Sequence, residues 1–283
     1  MIFRVPAVLD SSQIAEIDRL KSALNFVDGK ATAGVQARLV KQNRQAEQSQ
    51  ALESVQKIVI EALTVHPLVR SYALPTRISP PLISCYAGGE NYGLHVDEAI
   101  MGNAERALRT DLSVTVFLTA PESYEGGELE VQVASGSVAV KFARGDAAIY
   151  PSTTLHRVTP VTSGERMVAV AWIQSLVRNS DQREVLFDLD RARRTVFEAR
   201  GKTEVFDLLS KSYSNLQRMW ADVCGRCRAG KCTAMGAIPM QRVGPNLQSA
   251  GIAPDETRTV RFECLRDHTR PREFLVFRDE CDM

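Results

Sequence analysis

The sequence lacks an excess of charge of either sign. Among its 283 residues, 35 lysines and arginines stand against 34 aspartates and glutamates, a formal net charge of +1. A surface so balanced exerts no general electrostatic attraction on nucleic acid or on an anionic membrane. We therefore expect no nucleic-acid partner and no membrane partner, and instead a small-molecule or peptidyl substrate.

Long apolar runs are missing as well. The longest clearly apolar stretch, residues 167–173, is far shorter than the roughly 20 residues that a helix needs to cross a bilayer. Pro6 and Asp10 interrupt the N-terminus before the apolar core of a signal peptide can form. Five of the six cysteines fall in the last quarter of the chain, so no disulfide framework spreads over the fold. We expect a cytoplasmic protein with reduced thiols.

Helical patterns occupy both sides of a β-rich middle. Apolar side chains recur at helical spacing near residues 11–24 and 52–63, and again over 179–200 and 203–223. The polar stretch 41–50 lies between the first two patterns, and we interpret it as a solvated connection. The sequence predicts four parts: an N-terminal helical part (1–75) that packs on the core, a β core (76–177), C-terminal helices (178–223) and a cysteine-containing tail (224–283).

The middle of the chain is built from short runs rich in valine, isoleucine, threonine and phenylalanine. We count eight candidate strands between residues 76 and 174, separated by turns that contain glycine and serine. Eight short strands in about a hundred residues are typical of two facing antiparallel sheets. The predicted fold class is mostly β with flanking helices, a double-stranded β-helix or jelly roll.

Two of the four histidines stand where they could hold a metal ion. Residues i and i+2 of a strand share a face, so His95 and Asp97 can offer an imidazole and a carboxylate to one ion. His156 follows at the start of a later strand. Two histidines and one carboxylate leave adjacent positions open on Fe(II), as oxygen activation requires, whereas a closed structural zinc site leaves none. We predict that His95, Asp97 and His156 are catalytic iron ligands.

A positively charged side chain follows the second histidine along the sequence. The open positions on iron can take a chelating 2-oxo acid, whose far carboxylate then needs a fixed positive group. Arg166 lies ten residues after His156, and a guanidinium grips a carboxylate with two parallel hydrogen bonds. We predict that Arg166 binds this co-substrate and that Tyr86 adds a phenolic hydrogen bond.

These residues and their surroundings resemble the PKHD-type hydroxylases, iron- and 2-oxoglutarate-dependent dioxygenases of the prolyl/lysyl hydroxylase-like group. The likeness covers roughly residues 1 to 223. It is carried by VDGKATAG (27–34), RTDLSVTVFLTAPESYEGGELEV (109–131), GDAAIYPSTTLHRVTPVTSGER (145–166) and WIQSLVRNSDQREVLFDLD (172–190). The resemblance implies Fe(II), 2-oxoglutarate as co-substrate and release of succinate and CO2, with a link to bacterial iron metabolism. We expect ascorbate as the reductant.

Several alternatives stay open from the sequence. The same fold could serve as a non-catalytic iron or 2-oxoglutarate sensor or adaptor, or as a cupin that uses another metal. Residues 27–34 and the loop 98–109 are candidates for a mobile lid and substrate contacts, while Trp172 and Phe117 are interpreted as core. We also expect a homodimer. The tail carries Cys224, Cys227, Cys232, Cys264 and His268, whose irregular spacing favours reduced thiols over a zinc site.

Overall fold

The chain forms two compact units, Met1–Cys224 and Gly225–Met283. The structure, a computed structural model, describes residues 2–32, 34–103, 107–223, 258–262 and 272–276. No helix within these ranges is long and apolar enough to cross a membrane. The prediction for the tail cysteines and His268 concerns positions that lie outside the described residues.

Helices frame the first unit at both ends of its sequence. The helices are α1 (Ser11–Lys21), α2 (Val35–Arg38), α3 (Gln50–Val65), α4 (Pro67–Ala73), α5 (Ser180–Arg200) and α6 (Glu204–Trp220), with short 3-10 turns at Gly29–Thr32 and Pro121–Ser123. Polar side chains begin the longer ones: Asp10 accepts from the backbone N–H of Gln13 at α1, and Asn179 caps α5.

Strands fill the stretch between the helices and also precede it. They are β1 (Phe3–Val5), β2 (Phe26–Asp28), β3 (Lys41–Gln42), β4 (Arg44–Ala46), β5 (Pro75–Ile78), β6 (Leu82–Ala87), β7 (Asn91–His95), β8 (Ile100–Met101), β9 (Leu108–Arg109), β10 (Leu112–Phe117), β11 (Tyr124–Gly126), β12 (Leu129–Val133), β13 (Gly136–Val140), β14 (Ala147–Pro151), β15 (His156–Val158), β16 (Val161–Ser175), β17 (Arg258–Phe262) and β18 (Arg272–Val276).

Two antiparallel sheets organise the first unit. The larger sheet runs in the order β1-β14-β10-β16-β6-β4-β2, with β5 and β11 also paired to β16. The smaller sheet runs β13-β12-β15-β7-β3. This arrangement of antiparallel sheets with helices confirms the predicted jelly-roll class. In the second unit, β17 pairs with β18 antiparallel.

The larger sheet separates two hydrophobic cores. On β14, Ala147 and Ile149 join a core covered by helices, whereas Ala148 and Tyr150 join a second core with residues of the smaller sheet. Successive side chains of a strand point to opposite faces, which explains this division. Because both faces of the sheet are buried, β10 is apolar or small at every position, and all six of its residues are buried.

The first 75 residues contain strands as well as helices, and these strands pair within both sheets. β1 pairs with β14, β4 pairs with β6, and β3 pairs with β7. The interpretation of 41–50 as a solvated connection is therefore wrong. Lys41, Asn43 and Gln45 are buried although all three are polar. Their side chains line a polar cavity, so hydrophobicity gave no signal for these strands.

Candidate active site

The two sheets enclose a cavity of about 480 Å³. Its wall mixes polar groups from the larger sheet, the smaller sheet and the N-terminal strands. Among the lining residues are Thr32, Lys41, Asn43, Gln45, Tyr86, Tyr92, His95, Asp97, Tyr150, His156, Arg166 and Trp172. A cavity that gathers so many polar groups within an apolar fold is a binding-site candidate.

The pairing of β7 with β15 brings the two predicted histidine ligands together. His95 and His156 are register partners, and their ring centroids lie 4.2 Å apart. Asp97 follows β7, and its Oδ2 lies 3.8 Å from His156 Nε2. One ligand atom from each of the three residues can be chosen so that all lie within 4.8 Å of one another. The structure thus assembles the predicted set.

Backbone carbonyls fix the orientation of both imidazole rings. His95 Nδ1 lies 2.8 Å from the carbonyl oxygen of Gly93, and His156 Nδ1 lies 3.0 Å from that of Thr154. If each Nδ1 carries the proton and donates it, each Nε2 keeps a free lone pair for a metal. Burial, and then the neighbouring His156, lower the pKa of His95 to about 4, which favours the neutral ligand form.

One buried serine holds the carboxylate of the set, and a second buried serine contacts the first. Ser113 donates to Asp97 Oδ2 at 2.5 Å, and its hydroxyl lies 2.7 Å from that of Ser152. A hydrogen bond to one carboxylate oxygen fixes the direction of the other. The donors, two imidazoles and one oriented carboxylate, fit Fe(II) with open positions.

Arg166 is buried in the same cavity without enough acceptors. Its side chain is 1% exposed, and Nε and Nη1 have no hydrogen-bond partner among the described residues. A buried guanidinium without acceptors is costly, so this site fits an anionic ligand. Gly127 makes room for the arginine, because a Cβ there would lie 2.9 Å from Arg166 Cδ.

Tyr86 lies directly beside Arg166. The two are register partners on β6 and β16, and the guanidinium lies 5.1 Å from the tyrosine ring centroid. Burial raises the pKa of Tyr86, so its hydroxyl stays protonated and able to donate. The structure therefore places both predicted co-substrate residues at one wall of the cavity.

Similarity to known proteins shows which family the chain belongs to. The 2OG-Fe(II) oxygenase superfamily matches residues 81–174, and the PKHD-type hydroxylase C-terminal domain matches residues 181–222. A PKHD-type hydroxylase from Gloeothece citriformis is 47% identical over 222 residues, and one from Acaryochloris marina is 49% identical over 223. Each match covers 78% of this chain and the relative's whole length. The chain belongs to the PKHD-type hydroxylases.

Membership makes this PKHD-type hydroxylase a 2-oxoglutarate-dependent enzyme, as the resemblance predicted. Among solved structures, a Pseudomonas putida prolyl-4-hydroxylase is 16% identical with a TM-score of 0.42, covering 62% of this chain and 92% of its own. A Trichoplax adhaerens prolyl hydroxylase, in complex with a hypoxia inducible factor peptide fragment, is 16% identical with a TM-score of 0.46. That match covers 65% of this chain and 86% of the other.

Sequence reasoning missed several cavity residues of this hydroxylase. Lys41, Asn43 and Gln45 alternate with Gln42 and Arg44, but all five residues are polar, so the sequence does not mark which side is buried. Ser113 lies in an apolar run, and nothing in its spacing marks it as a partner of Asp97. These residues share one property: they reach the cavity or Asp97 only because strands that are distant in the sequence pack together.

Two other expectations from the sequence concern the aromatic residues Trp172 and Phe117 and the two candidate lid segments. Trp172, interpreted as core, lines the cavity, whereas Phe117 belongs to the core between the sheets. In the two candidate lid segments, Thr32 and Gly34 line the cavity, and so do Ile100 and Met101. β8 and β9 pair within residues 98–109, of which 104–106 lie outside the described residues.

Proposed function

We propose that His95, Asp97 and His156 bind the catalytic Fe(II), and that Arg166 and Tyr86 bind the distal carboxylate of 2-oxoglutarate. The enzyme then hydroxylates a C–H bond of a small-molecule or peptidyl substrate. One observation carries this proposal: a buried guanidinium with two nitrogens that lack acceptors among the described residues lies in the same cavity as a cluster of three side chains that could hold a metal. A dicarboxylic co-substrate that chelates the metal would satisfy both.

The overall reaction balances without a further oxidant. Substrate, 2-oxoglutarate and O2 give hydroxylated substrate, succinate and CO2, with one oxygen atom going to each of the first two products. Bound iron and 2-oxoglutarate supply the activation of O2.

The protein's own groups orient and protect the reactants. Arg166 would bind the co-substrate at one end, which leaves its keto acid end available to a metal held by the histidine pair. Ser113 keeps Asp97 in the ligand direction, and the backbone carbonyls of Gly93 and Thr154 hold the rings. The ligand histidines are less than a tenth exposed, which supports a water-poor reaction site.

The proposal extends to conditions and partners. We include ascorbate as the reductant that keeps iron ferrous, a cytoplasmic location and, from the family resemblance, a link to bacterial iron metabolism. We also include a homodimer. Exposed apolar side chains on α5 and α6, among them Phe197, Leu208 and Met219, support it.

Binding and turnover test the assignment separately. Mn(II) serves as a redox-inert probe for metal affinity, and calorimetry then gives the 2-oxoglutarate affinity. With Fe(II), ascorbate and O2, succinate formation reports turnover. We expect His95→Ala to lose metal binding, and Arg166→Ala to keep it while 2-oxoglutarate affinity falls about a hundredfold, since hydrogen bonds to charged groups contribute about 1.5–3 kcal/mol each.

Matched controls come from the same residue types. Arg157→Ala removes an exposed arginine whose partner is Glu130, and His66→Ala removes a histidine that makes no capping hydrogen bond at the start of α4. Both variants should bind Mn(II) and 2-oxoglutarate as wild type does. If Arg166→Ala binds 2-oxoglutarate normally, or if wild type binds neither ligand, the assignment is wrong.

A further inference from the structure

The cavity holds a second set of hydrogen-bond donors that Arg166 and Tyr86 do not account for. Trp172 Nε1 is buried and has no hydrogen-bond partner among the described residues. Lys41 Nζ donates to Thr32 Oγ1 at 3.0 Å. An indole N–H and an ammonium can only donate, so a ligand that carries acceptor atoms would satisfy both groups.

Lys41 is the charged member of this set, and it is 3% exposed. Within the described ranges, no carboxylate forms an ion pair with it, although Asp97 and Asp28 act on it through space. Burial lowers the pKa of Lys41 to about 8. The amine is still mostly protonated at neutral pH, so a positive charge is held inside the cavity without an anionic partner.

An aromatic ring connects Lys41 to the metal-ligand cluster. Its ammonium lies 5.3 Å from the ring centroid of Tyr92, and Tyr92 stacks on His95 with centroids 3.7 Å apart. The cation is therefore one ring away from a proposed iron ligand. Arg166, in contrast, contacts Tyr86 and Phe117. The two cations thus lie among different side chains of one cavity.

A purely structural explanation of Lys41 accounts for only part of these contacts. The Thr32 hydroxyl and the Tyr92 ring would hold the ammonium in place, and cation–π contacts of this kind contribute about 0.5–2 kcal/mol. An ammonium has three donors, however, and Thr32 accepts from one of them. An apolar side chain would fill the same space in β3 without burying a charge.

Part of the cavity wall is aliphatic. Leu82, Val170, Ile100 and Met101 line the same cavity as Lys41. A ligand that suits both features has an aliphatic body and one anionic group.

We propose that the Lys41 ammonium, positioned by Thr32, binds a carboxylate of the substrate to be hydroxylated, so that the enzyme selects acids with an aliphatic body. This inference rests on the proposed function and specifies its substrate class. The carboxylate is either that of a free acid or the side chain of an acidic residue in a peptide, and the two sources are distinguished by probes.

Paired probes that differ only in charge provide the test. Wild type is saturated with Mn(II) and 2-oxoglutarate, and calorimetry then measures the affinities of isovalerate and isovaleramide. A second pair is the capped peptides acetyl-Gly-Glu-Gly-amide and acetyl-Gly-Gln-Gly-amide. The variants are Lys41→Met, which removes the charge, and Lys41→Arg, which keeps it. The control is Lys141→Met, since Lys141 also lies over a tyrosine ring, 3.9 Å from the Tyr124 centroid, but does not line the cavity.

We expect wild type, Lys41→Arg and Lys141→Met to prefer the acid of at least one pair by roughly tenfold or more, the effect of one charge-assisted hydrogen bond. Lys41→Met should lose that preference while its Mn(II) and 2-oxoglutarate affinities stay within about twofold of wild type. A preference within the first pair identifies a free acid, and one confined to the second pair identifies a peptidyl acid.

Three results would overturn the inference: no acid preference in wild type, an undiminished preference in Lys41→Met, or a loss of 2-oxoglutarate affinity in Lys41→Met. The last would place Lys41 in the co-substrate site instead. Failure of the proposed function has a different signature, because wild type would then not bind Mn(II) and 2-oxoglutarate in the first titrations.

Discussion

Individual side chains around the cavity differ in whether the fold itself satisfies them. His95 and Asp97 have partners in the Gly93 carbonyl and the Ser113 hydroxyl, so their directions are set before any ligand arrives. Arg166 and Asn43 retain polar atoms without partners. An unsatisfied buried polar group costs about 1–3 kcal/mol, so these residues reduce stability in the absence of a ligand. The proposed metal ligands, which are preorganised, and the cavity residues with unsatisfied polar atoms therefore imply different mutational effects.

Ser113→Ala tests the preorganised side of this contrast. The change removes the hydrogen bond to Asp97 Oδ2 without touching a proposed ligand atom, and such supporting residues typically affect metal affinity 10- to 100-fold. We expect Mn(II) to bind at least about tenfold more weakly, as measured by calorimetry. Ser113→Thr should retain part of the affinity, because it restores a hydroxyl.

Ser123→Ala is the matched control for that measurement. Ser123 also donates through its hydroxyl, to the carbonyl of Ala120, but it is exposed and does not line the cavity. Its metal affinity should equal that of wild type. Equal Mn(II) affinities for Ser113→Ala and Ser123→Ala would mean that the serine does not orient Asp97.

At the scale of elements, strands that bury apolar side chains were predictable from the sequence, whereas the short polar strands were not. β10 and β16 follow from their runs of valine, alanine and threonine, and α3 follows from its apolar stripe. β3 and β4 are short and polar, so no hydrophobic period marks them. Of the candidate site, the proposed metal and co-substrate residues were predicted from their types and spacing, and the structure brings them into one cavity. The polar cavity residues Lys41, Asn43 and Gln45 were not predictable, because they are brought to the cavity only when β3 pairs with β7 and β4 pairs with β6.

The N-terminal strand β1 is secured by one buried carboxylate. Asp146, 5% exposed, accepts from Arg4 Nε at 2.9 Å, from Arg4 Nη2 at 2.6 Å and from the backbone N–H of Ala7 at 2.9 Å. Asp146→Asn removes the charge and turns one acceptor into a donor that faces donors. We expect the free energy of unfolding to fall by about 1–3 kcal/mol, measured by urea denaturation.

Glu16→Gln provides the comparison for Asp146→Asn. Glu16 also pairs with an arginine, Arg19, but on the exposed surface of α1, where such pairs contribute little to stability. The two substitutions remove the same charge from different depths. Similar small losses in both variants would show that β1 does not depend on Asp146.

At the scale of the whole molecule, the catalytic unit ends close to residue 224. Met1–Cys224 forms one compact unit, and the two relatives named above are matched over their whole lengths by 222 or 223 residues. Residues near the end of this unit also make contacts with the rest of it. Asp222 accepts from Arg109 at 3.0 Å and from Arg178 at 2.7 Å, and Trp220 packs against the core around Leu186 and Tyr213.

Truncation therefore has a predicted position. A chain ending at Val223 retains the contacts of Trp220 and Asp222 described above, so we expect Mn(II) and 2-oxoglutarate affinities within about twofold of the full chain and a cooperative unfolding transition. A chain ending at Met219 loses both residues, and we expect it to be less stable by about 1–3 kcal/mol. Calorimetric titration and urea denaturation of the three proteins measure both quantities. A marked loss of 2-oxoglutarate affinity in the chain ending at Val223 would instead assign residues 224–283 a part in co-substrate binding.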